Sequence, residues 1–134
     1  MDLLAAARAE VISRHAFFVG WFTGKLPDSA MEASARAFAP DMLMVVPDGQ
    51  MITAEKVVAM LQGARAKREP DFAIRVDVLE ARLLGDAALI VYDEHQVAGG
   101  IKTARRASAI FTADPGAPEG VVWRHLQETW IATN

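Results

Sequence analysis

The sequence predicts an α+β fold, and three observations lead there. Apolar residues recur at helical spacing through the N-terminal third, and from Asp71 onward the periodicity switches to two, as in strands. Short Gly- and Asp-containing turns separate those strands, and strands joined by short turns pair antiparallel. Helices grouped ahead of a sheet cover one of its faces. The third observation is compositional: 134 residues, 52% hydrophobic and 23% charged, suit one domain with a buried core and are too apolar for disorder. The expectation is a single domain over 1–134, since no repeat, linker or low-complexity stretch interrupts it.

From Leu3 to Phe22, two adjoining stripes (Leu4, Val11, Phe18, Phe22 and Ile12, His15, Val19, Phe22) predict a helix with one broad apolar face. Gly24 and Pro27 end it. Ser29-Ala30-Met31-Glu32 has the capping-box form and predicts a short second helix, with Met31, Ala35 and Phe38 on one side and Pro40 as its close. Met42–Val46 and Met51-Ile52 flank Pro47-Asp48-Gly49, which reads as a hairpin, so Asp48 is a turn residue rather than a catalyst. Thr53 caps a third helix over 54–67, buried along Val57, Val58, Leu61 and Ala64. Phe72, Ile74, Val76 and Val78 alternate with polar neighbours, and the apolar phase then flips to Leu79, Ala81 and Leu83, which predicts a bulge. Strands over 87–97, 102–113 and 121–131 follow, divided by Gly99-Gly100 and by the loop 114–120.

The chain has no cysteine, which excludes disulfides and Cys-ligated zinc or iron–sulfur centres. A net charge of −3 without a basic run argues against nucleic acid and membrane surfaces as partners. Asp2, Arg8, Glu10, Arg14 and His15 interrupt the apolar N-terminus, so neither a secretory signal nor a spanning helix is expected, and the protein is placed in the cytoplasm. No phosphate-cradling Gly-rich loop and no Gly-x-Ser-x-Gly turn is present.

The Gly99-Gly100 turn sets a register. As a two-residue turn it puts Gln96 opposite Thr103, Glu94 opposite Arg105, Asp93 opposite Arg106 and Tyr92 opposite Ala107. Both acids then face arginines, one pair on each side of the sheet, whereas a one-residue slip keeps only one pair.

Three stretches, in order, carry a family resemblance: Phe38-Ala39-Pro40-Asp41 leading into the Met/Val strand and Pro47-Asp48-Gly49; Arg106-Ala107-Ser108-Ala109-Ile110-Phe111; and Trp123-Arg124-His125-Leu126-Gln127-Glu128-Thr129. With the element order they make the chain resemble the nuclear transport factor 2-like superfamily, in its small bacterial SnoaL-like and calcium/calmodulin-kinase-association-like branch. The resemblance implies a cone: a strongly curved antiparallel sheet wrapped around N-terminal helices, hollow inside, in a protein that dimerises. It also implies that Tyr92, Glu94 and Arg105 point into the cone, with Arg124, Leu126, Glu128 and Trp130 inward on the last strand.

On that phase an apolar pocket holds a few polar groups, the usual form of a small-ligand site. A carboxylate in such a cavity drifts toward a useful proton-carrier pKa. Arg105 opposes that for Glu94, so Glu128 is the candidate general acid or base and Tyr92 the donor to a developing oxyanion. Glu94 and Arg105 would orient a ligand, with Trp21, Met44, Phe111, Leu126 and Trp130 as walls. The reading is a homodimeric domain that binds a small organic ligand, with isomerase, dehydratase or cyclase chemistry and no cofactor or metal. The alternative is an assembly module whose cone is filled and whose outer face (Val91, Ile110, Trp123, Ile131) makes an oligomer. Glu94–Arg105 would then be a structural ion pair, and His15, within a helix's apolar stripe, a hydrogen-bonded core histidine. His95 and His125 share the opposite phase but are separated by a strand, about 10 Å of backbone, and show no metal-ligand spacing.

Overall fold

The structure, a computed structural model, describes residues 1–133. Helix α1 spans Leu3–Phe22, with the Asp2 carboxylate accepting from the Ala5 N–H at its start. Its inward stripe is Ala7, Glu10, Val11, Arg14, His15 and Trp21, whereas Ile12 faces solvent. Two charged residues thus replace an expected isoleucine against the sheet. Helix α2 is a single turn and a half, Ala30–Ala35. The predicted capping box does not form: Ser29 is itself helical and its hydroxyl makes no capping bond. The Ala30 and Met31 N–H groups instead donate to the Pro27 and Asp28 carbonyls.

Strand β1 begins earlier than the sequence predicts, at Phe38, and runs to Val45 through Ala39 and Pro40. It turns at Asp48-Gly49 into β2 (Met51–Thr53), with Asp48 accepting from the Gln50 N–H. Thr53 caps helix α3, which spans Ala54–Gly63 and stops short of Lys67. The reason lies in α1. The Ala66 and Arg68 N–H groups donate to the Trp21 and Phe22 carbonyls at its C-terminal end, and Ala66 adopts a φ of 60° to reach them.

Strands β3 (Ala73–Leu84), β4 (Ala87–Ala98), β5 (Ile101–Ala113) and β6 (Val121–Ile131) follow. Among the described residues the sheet has six strands in the order β2-β1-β6-β5-β4-β3. All pairings are antiparallel except β1 with β6, which is parallel. The phase flip is a real irregularity: the register shifts between Val78 and Glu80, and Leu79 lies exposed there. The Gly99-Gly100 register is as predicted, Ala98 facing Ile101 and Tyr92 facing Ala107. A second shift, between Ile110 and Phe111, was not foreseen. Shifts of this kind bend and twist the strand that carries the extra residue. The open sheet curves around α1, which packs on β3, β4, β5 and β6, while α3 packs on β1 and β2.

The core inside that curve is built from Ala7, Val11, Met42, Ile90, Phe111, Val121 and Trp123. Through it runs a buried polar chain. Glu10, fully buried, accepts from Arg14 Nε at 2.8 Å and Nη2 at 2.9 Å, and from the Trp123 indole at 2.7 Å. Arg14 also donates to Ser34 Oγ, so the network ties α1 to α2 and β6. Both charges are paired and hydrogen-bonded, which is the condition for burying them. No helix of the described residues is long and apolar enough to cross a membrane.

Candidate functional site

The hollow lies between α1, the β1–β2 hairpin, α3 and the concave side of β4, β5 and β6, as a cavity of about 320 Å³. Three rows of residues cross those strands beneath it, Ile90–Ala109–Leu126, Tyr92–Ala107–Glu128 and Glu94–Arg105–Trp130, and of these Leu126, Tyr92, Glu128, Glu94 and Arg105 line it. Alanines at 107 and 109, both fully buried, hold the centre of the floor low, so Tyr92 and Glu128 face each other across a methyl group. Phe18, Phe22, Phe38, Met42, Met44 and Trp123 supply much of the apolar wall, and the exposed Met60 stands at its rim.

Of the residues singled out from the sequence, Tyr92, Glu128, Glu94, Arg105, Met44 and Leu126 line this cavity. Three lie elsewhere. Trp21 is buried behind the wall, its indole donating to the Leu61 carbonyl at 2.6 Å and its ring stacked on Phe17. Phe111 is one row deeper than the cavity, packed on Trp123 with ring centroids 4.6 Å apart. Trp130 is half exposed and covers Arg105 from outside, 4.7 Å from guanidinium carbon to ring centroid. Arg124 and Trp123 exchange the sides expected of them. The shift at Ile110/Phe111 adds one residue on β6, which turns Trp123 inward and leaves Arg124 outside, bound to Asp41. Trp123 is therefore unavailable to an outer interface.

The Glu94–Arg105 pair is opposite in register but not in chemistry. Glu94 accepts from His15 Nε2 at 2.9 Å and from the Gln96 amide, while Arg105 Nη1 donates to Glu128 Oε1 at 3.2 Å. Asp93 and Arg106, by contrast, pair as expected on the outer face, at 2.7 and 3.0 Å. His95 sits beside Asp77, not beside His125, and no cluster of metal-ligating side chains occurs among the described residues.

His15 is a wall residue that sequence reasoning left in the core. Its Nδ1 is 2.7 Å from the Val11 carbonyl, which can only accept, so Nδ1 carries a proton. Nε2 faces a carboxylate oxygen, and that contact holds one proton shared between imidazole and Glu94. The two carboxyls of the cavity, though similarly buried, are thus driven apart. For Glu94, burial pushes the pKa up, but the His15 hydrogen bond and charge, then Gln96 and Arg105, outweigh it and hold the group below its ordinary value. For Glu128, burial dominates, the Glu94 charge adds to it, and Arg105 offsets only part, so its pKa is raised. Burial and both carboxylates raise Tyr92 further, so its phenol keeps its proton. Neither the Tyr92 hydroxyl nor Arg105 Nε has a hydrogen-bond partner among the described residues, though both atoms are buried.

Comparison with other proteins agrees with this architecture. Residues 7–132 match the family model described as sucrose-6-phosphate phosphohydrolase C-terminal. No curated protein matches the chain. Among solved structures, a nuclear-transport-factor-2-like protein of unknown function from Pseudomonas aeruginosa superimposes with a TM-score of 0.79 at 25% identity, covering 95% of this chain and 99% of that one. A ketosteroid isomerase-like protein from Erwinia carotovora atroseptica gives 0.68 at 11% identity, covering 98% of each chain. The CaMKII hub of S. rosetta gives 0.61 at 14% identity, covering 78% of this chain and 90% of that one. The fold is thus nuclear transport factor 2-like, as the resemblance implied.

Proposed function

This chain belongs to the sucrose-6-phosphate phosphohydrolase C-terminal family, and from that premise and the hollow in its sheet we propose a domain that binds a small, mostly apolar organic molecule through an oxygen acceptor, with cofactor-free acid–base chemistry at Glu128 and Tyr92. One observation carries the reading. A fully buried phenol without a partner lines an apolar cavity, opposite a carboxyl of raised pKa. A buried donor left unmade costs about 1–3 kcal/mol, which a ligand oxygen recovers. The cavity is of the size that small ligands fill.

The roles follow from the partners. Glu94, satisfied by His15 and Gln96, is a fixed charge that positions the wall. Glu128, with only one hydrogen bond from Arg105 given to its carboxylate, is the group free to take a proton from carbon or return it. Tyr92 donates to the oxyanion that develops on a carbonyl oxygen as that proton leaves. Isomerisation, dehydration and cyclisation share this step. The ketosteroid isomerase-like neighbour is compatible with it by fold alone. A sugar phosphate is a poor candidate, because the cavity wall is mostly apolar and supplies a single arginine for a hydroxyl-rich polyanion.

A screen of melting temperature against small carbonyl compounds tests the reading. Binders raise the wild-type midpoint, and Tyr92→Phe removes most of that rise without lowering the ligand-free midpoint, because the variant loses an unpaired hydroxyl. If no apolar oxygen compound moves the wild type, or Tyr92→Phe responds equally, the reading fails.

A second reading concerns assembly. The neighbour that is a hub, and the half-buried Val91 and Ile110 on the outer side of β4 and β5, support a homodimer formed through that face. It is compatible with a ligand inside.

A further inference from the structure

The two unpartnered atoms of the cavity are both donors, and they lie on neighbouring strands in successive rows of the floor. Tyr92 offers an O–H and Arg105 a charged Nε–H, so the ligand group that suits them brings an acceptor for each and a negative charge for the guanidinium. A carboxylate satisfies both. The acceptors of the site are distributed accordingly. Both Glu94 oxygens already accept, from His15 and Gln96, while Glu128 accepts from Arg105 Nη1 through Oε1.

Charge selects the same ligand. His15 and Glu94 together hold one shared proton and are neutral as a pair, and Arg105 contributes a fixed positive charge. The remaining charge is set by Glu128, which faces Arg105 on β5, Tyr92 and Glu94 on β4 and His15 on α1. With Glu128 ionised the site is neutral and repels a second carboxylate at short range. With Glu128 protonated the site carries one net positive charge and accepts a monoanion. An anion therefore enters together with one proton.

We infer that the cavity takes a small monocarboxylic acid with an apolar body, its two oxygens on the Tyr92 hydroxyl and Arg105 Nε and one proton held between it and Glu128. This deepens the ligand-binding reading above and rests on it. A single aromatic ring or a medium alkyl chain matches the roughly 320 Å³ available and the Phe, Met and Trp walls. Trp130 lies over the Arg105 guanidinium, 4.7 Å from its carbon to the ring centroid. No bond is made or broken in this step; a proton moves from solvent to the shared position.

Isothermal titration of the full chain with phenylacetate, octanoate and phenylacetamide tests it, each in two buffers of different ionisation heat. The acids bind, and the difference between buffers reports proton uptake that approaches one proton at pH values where Glu128 is ionised in the free protein. Affinity for the acids falls about tenfold per pH unit once Glu128 is ionised in the free protein. Phenylacetamide binds at least about tenfold more weakly, as expected for a neutral ligand that offers Arg105 no charge-assisted hydrogen bond. Glu128→Gln, whose amide can still donate, retains acid binding but loses both the proton uptake and that pH dependence; Arg105→Gln weakens the acids about tenfold or more and narrows the difference between acid and amide. Acids that bind without proton uptake, or an amide that binds as tightly as its acid, overturn the inference. The buffer comparison needs no variant, so it holds even if a substitution unfolds the chain. If phenylacetamide binds and the acids do not, the ligand class is wrong while the cavity reading stands. If none of the three binds and no other carbonyl compound shifts the melting point, both fall.

Discussion

Glu10 shows how much of this molecule depends on single buried charges. It is fully buried and holds Arg14 through two hydrogen bonds and the Trp123 indole through a third. Glu10→Ala would leave a buried guanidinium with only its Ser34 hydrogen bond and no counter-charge, and an indole N–H without its carboxylate; breaking one side of a buried pair costs about 3–5 kcal/mol. Chemical denaturation should show a loss of that size, and a cost under about 1 kcal/mol would mean that Arg14 finds water. At Glu128 the consequence is a pH dependence. A carboxyl whose pKa is raised in the folded state stabilises fully below its unfolded value, given as 4.5, and that contribution is lost as the pH rises through the folded value. Glu128→Gln removes this loss, so the variant should gain on the wild type in melting temperature between pH 4 and pH 8. Glu94 and Asp93 act in the opposite sense. Both are held below their ordinary values, so their stabilisation is present at neutral pH and lost on acidification. A Glu128→Gln midpoint that tracks the wild type across that range would show that residue 128 does not titrate abnormally.

At the scale of elements, the turns were the most legible part of the sequence. The Gly99-Gly100 pair gave the β4–β5 register residue by residue, because a two-residue turn admits one register when both faces carry matched charges. The two glycines take φ of 58° and 78°, and a Cβ at either meets nothing within 4 Å, so conformation alone demands glycine there. Replacing both with alanine should therefore cost about 1–2 kcal/mol per position. Gly63, on α3 and equally open, has no such demand, and Gly63→Ala should stabilise by about 0.4–1 kcal/mol. Urea denaturation of the two variants should give opposite signs. The bulge at Leu79 was legible because the apolar phase visibly flips. The one between Ile110 and Phe111 was not: β6 reads Val-Val-Trp-Arg-His-Leu, where inward Trp123 and inward Leu126 fit no single alternation. That spacing of three was the available signal, and missing it reversed Trp123 and Arg124. The capping box failed for a different reason. The turn Pro27–Met31 already winds the chain, with Ala30 and Met31 donating to the Pro27 and Asp28 carbonyls, so Ser29 is drawn into helical backbone and cannot cap, which a sequence motif does not reveal.

For the molecule as a whole, the legible pocket and the illegible one differ by range. Tyr92, Glu94 and Arg105 shared a face because the register set by one turn is a local property, whereas Glu128 joined them only through the family resemblance, which also supplied the inward phase. His15 was not placed with them, because its meeting with Glu94 spans 79 positions and depends on how a helix lies in a curved sheet. Nor was Glu10, although its spacing from Arg14 is one helical turn and its neighbour Val11 is on the inward stripe. The same curvature separates the two uses of the sheet. The concave side is occupied by α1 and the cavity, which leaves the convex side of β4 and β5, with Val91 and Ile110 half-buried beside the Asp93–Arg106 pair, as the face on which a second copy would rest. With Trp123 turned inward, that face is smaller and more polar than the sequence suggested. A dimer built on it must rely on Leu89, Val91 and Ile110 at its centre, because a desolvated core surrounded by a polar rim carries most of an interface's energy. Ile110→Arg should then yield a monomer in light scattering at micromolar concentration while the melting response to ligand survives, since the substitution is on the far side of the strand from Ala109 and Phe111. An unchanged mass would place any self-association elsewhere, and a lost ligand response at unchanged mass would mean that the two sides of the sheet are coupled.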